Sequence, residues 1–232
     1  MILTLPLFSW PSFSWPLRAR PLALRIDVEL PDDSIENELE ALHRRLQERG
    51  TELATLEAIA PQHDGLVFRY READGEHYVY VEDTVNKRLA GYTVFNRLVE
   101  VDRTADRHLR APHSRYASVY QRRGLATAVY CWWLDAGQCL ITGARQSSPA
   151  HALWRRLAAR YDMVFVDVRD KTLTLLGRDV DAAVREDLHT RMLLLGRGQC
   201  LAALAARIGM HTNGQEVGAC VAGPDCTECV PT

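Results

Sequence analysis

The sequence has no long hydrophobic run and no large excess of charge of one sign. No apolar stretch reaches the roughly 18 residues that an α-helix needs to cross a bilayer. The first 16 residues are apolar, but Pro6, Pro11 and Pro16 interrupt them and no basic segment precedes them, so we expect no signal peptide. The formal net charge is only −2. We therefore expect a cytoplasmic protein that does not associate with a membrane.

The chain is long enough for one well-buried domain with extensions, since 47% of its 232 residues are hydrophobic and 25% are charged. Its charge is unevenly distributed. Residues 31–60 contain eight acidic residues and three arginines, whereas residues 103–160 contain ten arginines and two aspartates. The basic segment would attract a phosphate-rich ligand or a nucleic-acid backbone, or it is simply a solvated surface. Nucleic acid is therefore not excluded as a partner.

Hydrophobic spacing predicts alternating strands and helices. Leucines at three- and four-residue spacing indicate a first helix, and alternating residues around the turn Ala73-Asp74-Gly75 indicate an antiparallel meander. The predicted elements are a helix over 34–49, strands over 66–70, 77–81, 88–101 and 116–120, a helix from 125 to Gly137, a strand over 139–142, a helix over 149–157, and a hairpin of strands 163–168 and 171–176.

The segment Gln121-Arg122-Arg123-Gly124-Leu125-Ala126-Thr127-Ala128 lies between a predicted strand and a predicted helix. The first N–H groups of a helix have no intrahelical partner and carry the positive end of its dipole, so they can bind an anion. Gly124 and Ala126 are small enough for phosphate oxygens to reach the backbone, and the two arginines add positive charge. The segment therefore predicts a loop that binds a pyrophosphate.

At these residues the chain resembles the GNAT superfamily of N-acetyltransferases, whose acetyl-CoA signature is Gln/Arg-x-x-Gly-x-Gly/Ala. Gln121, Gly124 and Ala126 match it. The helix over 149–157 resembles the family's next motif, with Ala150 and Leu153 in register. The resemblance covers about residues 22–177. It implies an α/β fold with a mixed, largely antiparallel central sheet flanked by helices.

We accordingly predict three parts of the chain: a Pro/Trp-rich arm over 1–21, an acetyltransferase-like domain over 22–177, and a C-terminal helical extension over 178–232 that ends in a Cys-containing tail. The arm repeats Phe-Ser-Trp-Pro and either folds over its own domain or forms a homo-oligomer contact. The extension contains two apolar-faced runs, 180–195 and 200–208, which we predict to be helical.

Three cysteines of the tail, Cys220, Cys226 and Cys229, together with His211 have the ligand types of a zinc site. The spacing between His211 and Cys220 is loose for such a site, which favours free thiols in a mobile tail. We therefore predict no metal ligand, with zinc as the alternative.

The resemblance implies direct transfer of an acetyl group from acetyl-CoA to an amine acceptor of unknown class. The preceding strand would pair through its backbone with the pantetheine arm, and the loop would hold the pyrophosphate. The predicted cosubstrate-binding residues are Ser118, Val119, Gln121, Arg122, Arg123, Gly124, Leu125, Ala126 and Thr127.

The catalytic acid departs from the family pattern. Members of the family often use a Tyr of the second motif helix to protonate the departing thiolate, but Trp154 stands at that position and an indole N–H is not appreciably acidic. Tyr120 and Ser147 are the predicted substitutes, with Ser148 and His151 as further candidates nearby in the sequence.

A general base must accept the proton of the amine, directly or through water. The best acidic candidates follow the meander, where Glu100 comes first and Asp102 second, with His108 and His113 behind them. Two other functions stay open. One is a nucleobase- or nucleic-acid-modifying transferase of the same fold, and the other is a non-catalytic CoA-binding or interaction protein that has lost the acid.

Overall fold

The structure is a computed structural model that describes residues 32–48, 53–63 and 65–214. Its strands are β1 (Glu57–His63), β2 (Leu66–Ala73), β3 (Glu76–Asp83), β4 (Arg88–Asn96), β5 (Leu109–Tyr116), β6 (Cys139–Ile141), β7 (Met163–Arg169), β8 (Thr172–Gly177) and β9 (Thr190–Leu194). Its helices are α1 (Asp32–Glu48), α2 (Arg103–His108), α3 (Leu125–Asp135), α4 (Ser148–Ala158), α5 (Ala182–Glu186) and α6 (Leu201–Arg207). Among the described helices, none has the length and apolar character needed to span a membrane.

The strands form one nine-stranded sheet in the order β1-β2-β3-β4-β5-β6-β9-β7-β8. Every neighbouring pair is antiparallel except β5 and β6, which are parallel. The predicted fold class, a mixed and largely antiparallel sheet flanked by helices, is therefore confirmed.

The predicted meander is also confirmed. Strands β2 and β3 are joined by Asp74 and Gly75, which both have positive φ and so suit a tight hairpin turn. Strand β4 continues the meander but ends at Asn96, earlier than predicted. Gly91 lies where β4 meets β5, and a Cβ there would come within 2.4 Å of the Arg115 carbonyl oxygen. Only glycine allows this close approach of the two strands.

Helices cover both faces of the sheet. On one face, Tyr92 of β4 donates a hydrogen bond to Glu38 of α1. On the other face, Phe95 of β4 stacks on Trp133 of α3, with ring centroids 4.2 Å apart. Since residues 92 and 95 point to opposite sides of a strand, α1 and α3 lie on opposite faces. Apolar residues of α4 pack in the same core as α3, whereas those of α2 and α6 pack in a second core with β7 and β9.

The predicted strand over 116–120 is wrong. Strand β5 ends at Tyr116, and Ser118–Tyr120 forms a 3-10 helix. The apolar and aromatic residues that suggested a strand are used differently, because Tyr120 turns into the protein and bonds side chains of the meander. Strand β1, helix α2 and the greater part of β5 were not predicted.

The predicted helix over 180–195 is also wrong. Only Ala182–Glu186 is helical, and β9 then lies between β6 and β7. The four residues from Arg191 to Leu194 are all buried, so this strand is covered on both faces and shows no alternation. Residues beyond 177 thus complete the central sheet instead of forming a separate helical extension. The second run is helical as predicted, as α6. The arm over 1–21 and the tail cysteines lie outside the described residues.

Candidate functional site

The sheet opens between β5 and β6. These parallel strands pair only at Leu109 with Cys139 and at Arg110 with Leu140. Beyond Arg110, β5 continues to Tyr116 paired with β4 alone. One edge of β5 over residues 111–116 is therefore unpaired, although the strand lies in the middle of the sheet. An unpaired edge can bind an extended ligand through main-chain hydrogen bonds.

The direction of the backbone groups along β5 follows from one hydrogen bond. The Ala117 N–H donates to the Ala90 carbonyl, toward β4. Because backbone groups alternate along a strand, those of Pro112, Ser114 and Tyr116 point to the open side. Pro112 has no N–H, but no hydrogen bond is lost, because its backbone faces the open side of β5, where no strand is paired. The carbonyl of Tyr116 accepts a hydrogen bond from the Gln121 side chain at 3.0 Å.

The predicted phosphate loop lies at the start of α3, beside this open edge. Residues 121–124 are exposed, and Arg122 and Gly124 have positive φ values of 58° and 81°. No side chain caps the helix start at Gly124. The N–H of Ala128 donates to the Gly124 carbonyl as the first intrahelical bond, so the preceding N–H groups have no partner within the helix. The predicted junction of an exposed turn and a helix start is confirmed.

Positive charge surrounds the loop. The guanidinium of Arg123 lies 5.6 Å from the ring centroid of Tyr120, and that of Arg88 lies 5.1 Å from the same centroid. His63 of β1 contacts the Arg123 carbonyl through its Nε2 atom at 3.3 Å. These contacts fix the loop against β1 and β4. They also place two guanidinium groups at the Tyr120 ring, in the turn that precedes the uncapped helix start, and positive charge near such a start favours a phosphate ligand.

The predicted cosubstrate-binding residues differ in what they expose. Val119 is 59% exposed, and Ser118 donates a hydrogen bond to Glu36 of α1 at 3.0 Å. Leu125 is buried in the core, so only its backbone is available to a ligand. Ala126 and Thr127 are half-buried.

Tyr120, a predicted acid, is buried beneath the loop. Its hydroxyl donates a hydrogen bond to Asp83 and accepts one from Arg88 Nε at 2.8 Å. Burial and the Asp83 carboxylate raise the pKa of Tyr120. The same hydrogen bond, with two from Asn86, lowers the pKa of Asp83 to about 2. These contacts make Tyr120 an anchor between the loop and the meander.

The other two predicted catalytic residues lie in separate places. Ser147 is the N-cap of α4 and accepts a hydrogen bond from the Ala150 N–H at 3.4 Å. Glu100 accepts a hydrogen bond from Arg191 of β9 at 3.3 Å. Across the described ranges, no hydrogen bond or ion pair joins any two of Tyr120, Ser147 and Glu100. Asp102 caps α2 by accepting from the Ala105 N–H at 2.7 Å.

A polar cluster lies beside the open edge, on the face of the sheet that carries α1. Glu38 accepts hydrogen bonds from Tyr92 at 2.6 Å and from Arg115 at 2.5 Å, and Arg115 donates to His113 Nε2 at 3.2 Å. Desolvation of the ring and the Arg115 guanidinium lower the pKa of His113, so its imidazole is neutral at pH 7. Burial and the Glu38 carboxylate raise the pKa of Tyr92.

Sequence reasoning named His113 but missed the rest of this cluster. Glu38 belongs to a helix predicted from its apolar spacing, and Arg115 was counted only as part of a basic segment. Asp83 and Arg88 were likewise missed as partners of Tyr120. Apart from the contact between Arg115 and His113, these contacts join residues at least 32 positions apart, for which a single chain gives no local signal.

The structure bears on the zinc hypothesis only in part. Within the described ranges, no group of three or more His, Cys, Asp and Glu side chains is arranged to hold a metal ion. His211 forms a bridge to Thr174 of β8 through its backbone. The three tail cysteines lie outside these ranges, so the hypothesis stays a prediction.

Known proteins resemble this chain in structure but not detectably in sequence. No family model and no curated protein matches it. A solved structure described as a putative GnaT-family acetyltransferase from Bordetella pertussis is 22% identical, with a TM-score of 0.32, over 53% of this chain and 66% of that chain. The chain therefore spans slightly less than two thirds of that protein.

Two further structures cover more of the chain. A GNAT superfamily phosphinothricin acetyltransferase from Sinorhizobium meliloti, in complex with AcCoA, is 14% identical, with a TM-score of 0.36, over 73% of this chain and 87% of that chain. A spermidine N-acetyltransferase chimera from Vibrio cholerae and hSSAT is 15% identical, with a TM-score of 0.31, over 68% of this chain and 75% of that chain. Scores and identities this low support no conclusion about the family, the activity or the substrate of this chain.

Proposed function

We propose that this protein binds acetyl-CoA in the opening between β5 and β6 and transfers the acetyl group to an amine. The observation that carries the proposal is the uncapped, exposed start of α3 beside the unpaired edge of β5. The two features lie next to each other in the chain and suit different chemical groups. A ligand that uses both must combine a phosphate group with an extended arm that contains amides.

The phosphate end of the ligand would bind at the loop. Unpaired N–H groups between Gly124 and Thr127 would donate to the pyrophosphate oxygens, as they do at other anion-binding helix starts. Arg122 and Arg123 are exposed at this position and would add charge-assisted hydrogen bonds. A Cβ built on Gly124 would have no atom within 4 Å, so the space in front of this residue is open to a ligand.

The arm of the ligand would lie along β5. Amide groups of a pantetheine chain would pair with the backbone groups of Ser114 and with the carbonyl of Pro112, which face the opening. This pairing would supply the main-chain hydrogen bonds that β5 lacks where β6 diverges from it. It would also direct the thioester along β5, away from the loop.

The transfer forms a C–N bond between the amine and the thioester carbon and breaks the C–S bond of the thioester. The amine loses a proton to a base, and the thiolate leaves with or without a proton from the protein. His113 is our preferred base, because it lies on β5 with a lowered pKa, and its Nε2 atom can accept a proton once Arg115 releases its hydrogen bond to that atom. Glu100 is the alternative base from the sequence, although it is paired with Arg191.

Tyr120 and Ser147 are the candidate acids. Tyr120 already donates its proton to Asp83, and its raised pKa disfavours release of a proton to another group. Ser147 is exposed at the start of α4. If either residue is the acid, its replacement by Phe or Ala lowers the turnover rate at saturating acetyl-CoA by about 10²- to 10⁴-fold, whatever the change in acetyl-CoA affinity. Wild-type rates in both variants would show that the thiolate leaves unaided or that another residue acts as the acid.

The binding proposal is tested by calorimetric titration of acetyl-CoA into two matched glycine variants. Gly124 and Gly198 have φ values of 81° and 77°, and a Cβ on either would have no atom within 4 Å. Replacement by Val therefore strains both backbones similarly, but only Gly124 lies in the loop. We expect Gly124→Val to abolish acetyl-CoA binding and Gly198→Val to retain it. Equal affinities would remove the loop from the site.

A further inference from the structure

A second cavity lies at the opposite end of α3 from the phosphate loop. It has a volume of about 210 Å³. The rings of Tyr70, His77 and Trp133 and the polar side chains of Arg107 and Arg110 line it. Trp133 follows Leu125 by eight positions on α3, which corresponds to about 12 Å along the helix. The cavity is therefore separate from the loop proposed to bind acetyl-CoA.

Two residues that line the cavity each have a buried donor atom without an acceptor. Within the described residues, neither Trp133 Nε1 nor Arg110 Nε has a hydrogen-bond partner. Trp133 is 6% exposed and the side chain of Arg110 is 13% exposed. A buried donor without a partner costs about 1–3 kcal/mol, and more when the group is charged. An acceptor that fills the cavity would remove this cost.

Arginines and carboxylates both lie close to the cavity. Arg107 and Arg110 line it, and His108 beside them has a pKa lowered by burial and by the surrounding arginines. One nearby carboxylate belongs to Asp106, which accepts hydrogen bonds from Arg97 and from the Leu98 N–H and lies 3.8 Å from Arg110. A second belongs to Glu72, which is paired with His77 across β2 and β3. The unpaired donors, and not an excess of positive charge, therefore favour an anion in the cavity.

The remaining walls are aromatic. The rings of Tyr70 and His77 stack at 6.0 Å, and those of His77 and Trp133 are 4.8 Å apart. Such walls suit a flat apolar group, whereas the two unpaired donors suit carboxylate oxygens. We propose that this cavity binds a small organic carboxylate with a flat apolar body. The carboxylate accepts from Trp133 Nε1–H and Arg110 Nε–H, and the apolar body lies against the rings.

The test uses benzoate as the probe and the indole N–H signals of the protein as the readout. The signal of Trp133 is assigned with the variant Trp133→Phe and followed by ¹H–¹⁵N NMR during titration. We expect this signal to shift downfield as the new hydrogen bond forms. The titration uses protein without acetyl-CoA, so its result does not depend on the function proposed above.

Matched variants separate the cavity from general effects. Trp132 is the neighbouring tryptophan and does not line the cavity. We expect Trp133→Phe to weaken benzoate binding by roughly tenfold to a hundredfold, the loss of one hydrogen bond to a charged group, and Trp132→Phe to leave it unchanged. Arg107→Gln should weaken binding by roughly threefold to fivefold, and Arg103→Gln on the same helix should not.

Three outcomes would overturn the proposal. An indole signal of Trp133 that does not move with benzoate would show that its donor is not available to a carboxylate. Equal affinities of Trp133→Phe and the wild type would place the benzoate elsewhere. Inorganic phosphate that binds as tightly as benzoate would show an anion site without a preference for an organic carboxylate.

Discussion

The hydroxyl of Tyr120 donates a hydrogen bond to the carboxylate of Asp83, and this contact joins the turn before α3 to the end of β3. Arg88 and Asn86 complete the environment of the pair. Asp83 is 6% exposed, so these hydrogen bonds, and not water, stabilise its ionised carboxylate. The turn that precedes α3 is therefore held at a fixed position relative to the meander.

Removal of the Tyr120 hydroxyl should destabilise the protein by about 1–3 kcal/mol, because the buried Asp83 loses a donor. Tyr161→Phe is the matched control, since Tyr161 donates to Asp135 at 2.9 Å near the other end of α3. We expect both variants to lower the free energy of unfolding in urea. Only Tyr120→Phe should also weaken acetyl-CoA binding. Equal acetyl-CoA affinities in the two variants would mean that the contact does not position the loop.

The Asp83 carboxylate should make stability depend on pH in the acid range. Its pKa in the folded protein is about 2, below the value of about 3.9 for an unfolded aspartate. A depressed pKa stabilises the folded state above the unfolded value, and this stabilisation is lost as the pH falls from about 4 toward 2. Urea unfolding at several pH values should show a smaller acid-induced loss in Asp83→Asn than in the wild type. Parallel curves for the two proteins would contradict this assignment.

His113 should set the pH dependence of acetyl transfer. A neutral imidazole is the active form of a base, so the rate falls as the pH drops below the lowered pKa of His113, itself below about 6.5. We expect His113→Gln to reduce the release of CoA thiol by about 10²-fold or more with a panel of primary amines, at unchanged acetyl-CoA affinity.

Glu100→Gln is the comparison for the base. It should retain the acid limb of the pH profile and most of the rate, because Glu100 is held by Arg191. The reverse result, a large loss in Glu100→Gln and none in His113→Gln, would make Glu100 the base as the sequence suggested.

Gly91→Ala should be strongly destabilising. A Cβ at this position would lie 2.4 Å from the Arg115 carbonyl oxygen and 2.3 Å from the Tyr116 ring, and the backbone of β5 cannot move away without breaking its pairing with β4. Forcing extra volume into a packed region typically costs about 1–3 kcal/mol, occasionally more. Thermal unfolding compared with Gly143→Ala, where a Cβ has its nearest neighbour at 3.7 Å, measures the difference. A similar midpoint for both variants would contradict the close approach.

Elements with local signals could be predicted from the sequence. Asp74 and Gly75 adopt the positive φ that their hairpin requires, and Gly137 follows the end of α3 with a φ of 80°. Ser147 and Pro149 begin α4 as an N-cap and a residue of its first turn. In each case the conformational preference of one or two residues decides the structure, so neighbouring sequence is sufficient.

Strand β9 and the opening of the sheet could not be predicted in this way. The run Met192 to Leu194 is apolar without a period, which fits a buried strand and a helix equally well until its neighbours are known. The opening depends on where β6 diverges from β5. The polar cluster at the site depends on a contact between Glu38 and Arg115, which are 77 positions apart. These features arise from tertiary packing.

The arginines of residues 103–160 allow a last prediction, which concerns nucleic acid. If they followed a nucleic-acid backbone, affinity would fall steeply with salt, with a slope of about −0.9 per neutralised phosphate for duplex and about −0.7 for single strands. Some of these side chains are already engaged, since Arg115 is paired with Glu38 and Arg110 with Asp106. Exposed arginines remain at the loop and on α4, where Arg155 and Arg156 lie.

We expect no salt-dependent binding of duplex or single-stranded nucleic acid, because under our proposal the loop arginines bind a single pyrophosphate, and the paired arginines are neutralised by carboxylates. Mobility shifts over a salt series check this, with Arg155→Gln/Arg156→Gln as the variant for the α4 surface and Arg122→Gln/Arg123→Gln for the loop. Submicromolar binding at physiological salt that both variants weaken would favour a transferase that modifies a nucleobase amine. Binding weakened by the α4 variant alone would place the nucleic acid on the α4 surface. The loop proposed to bind acetyl-CoA would then take no part in that binding.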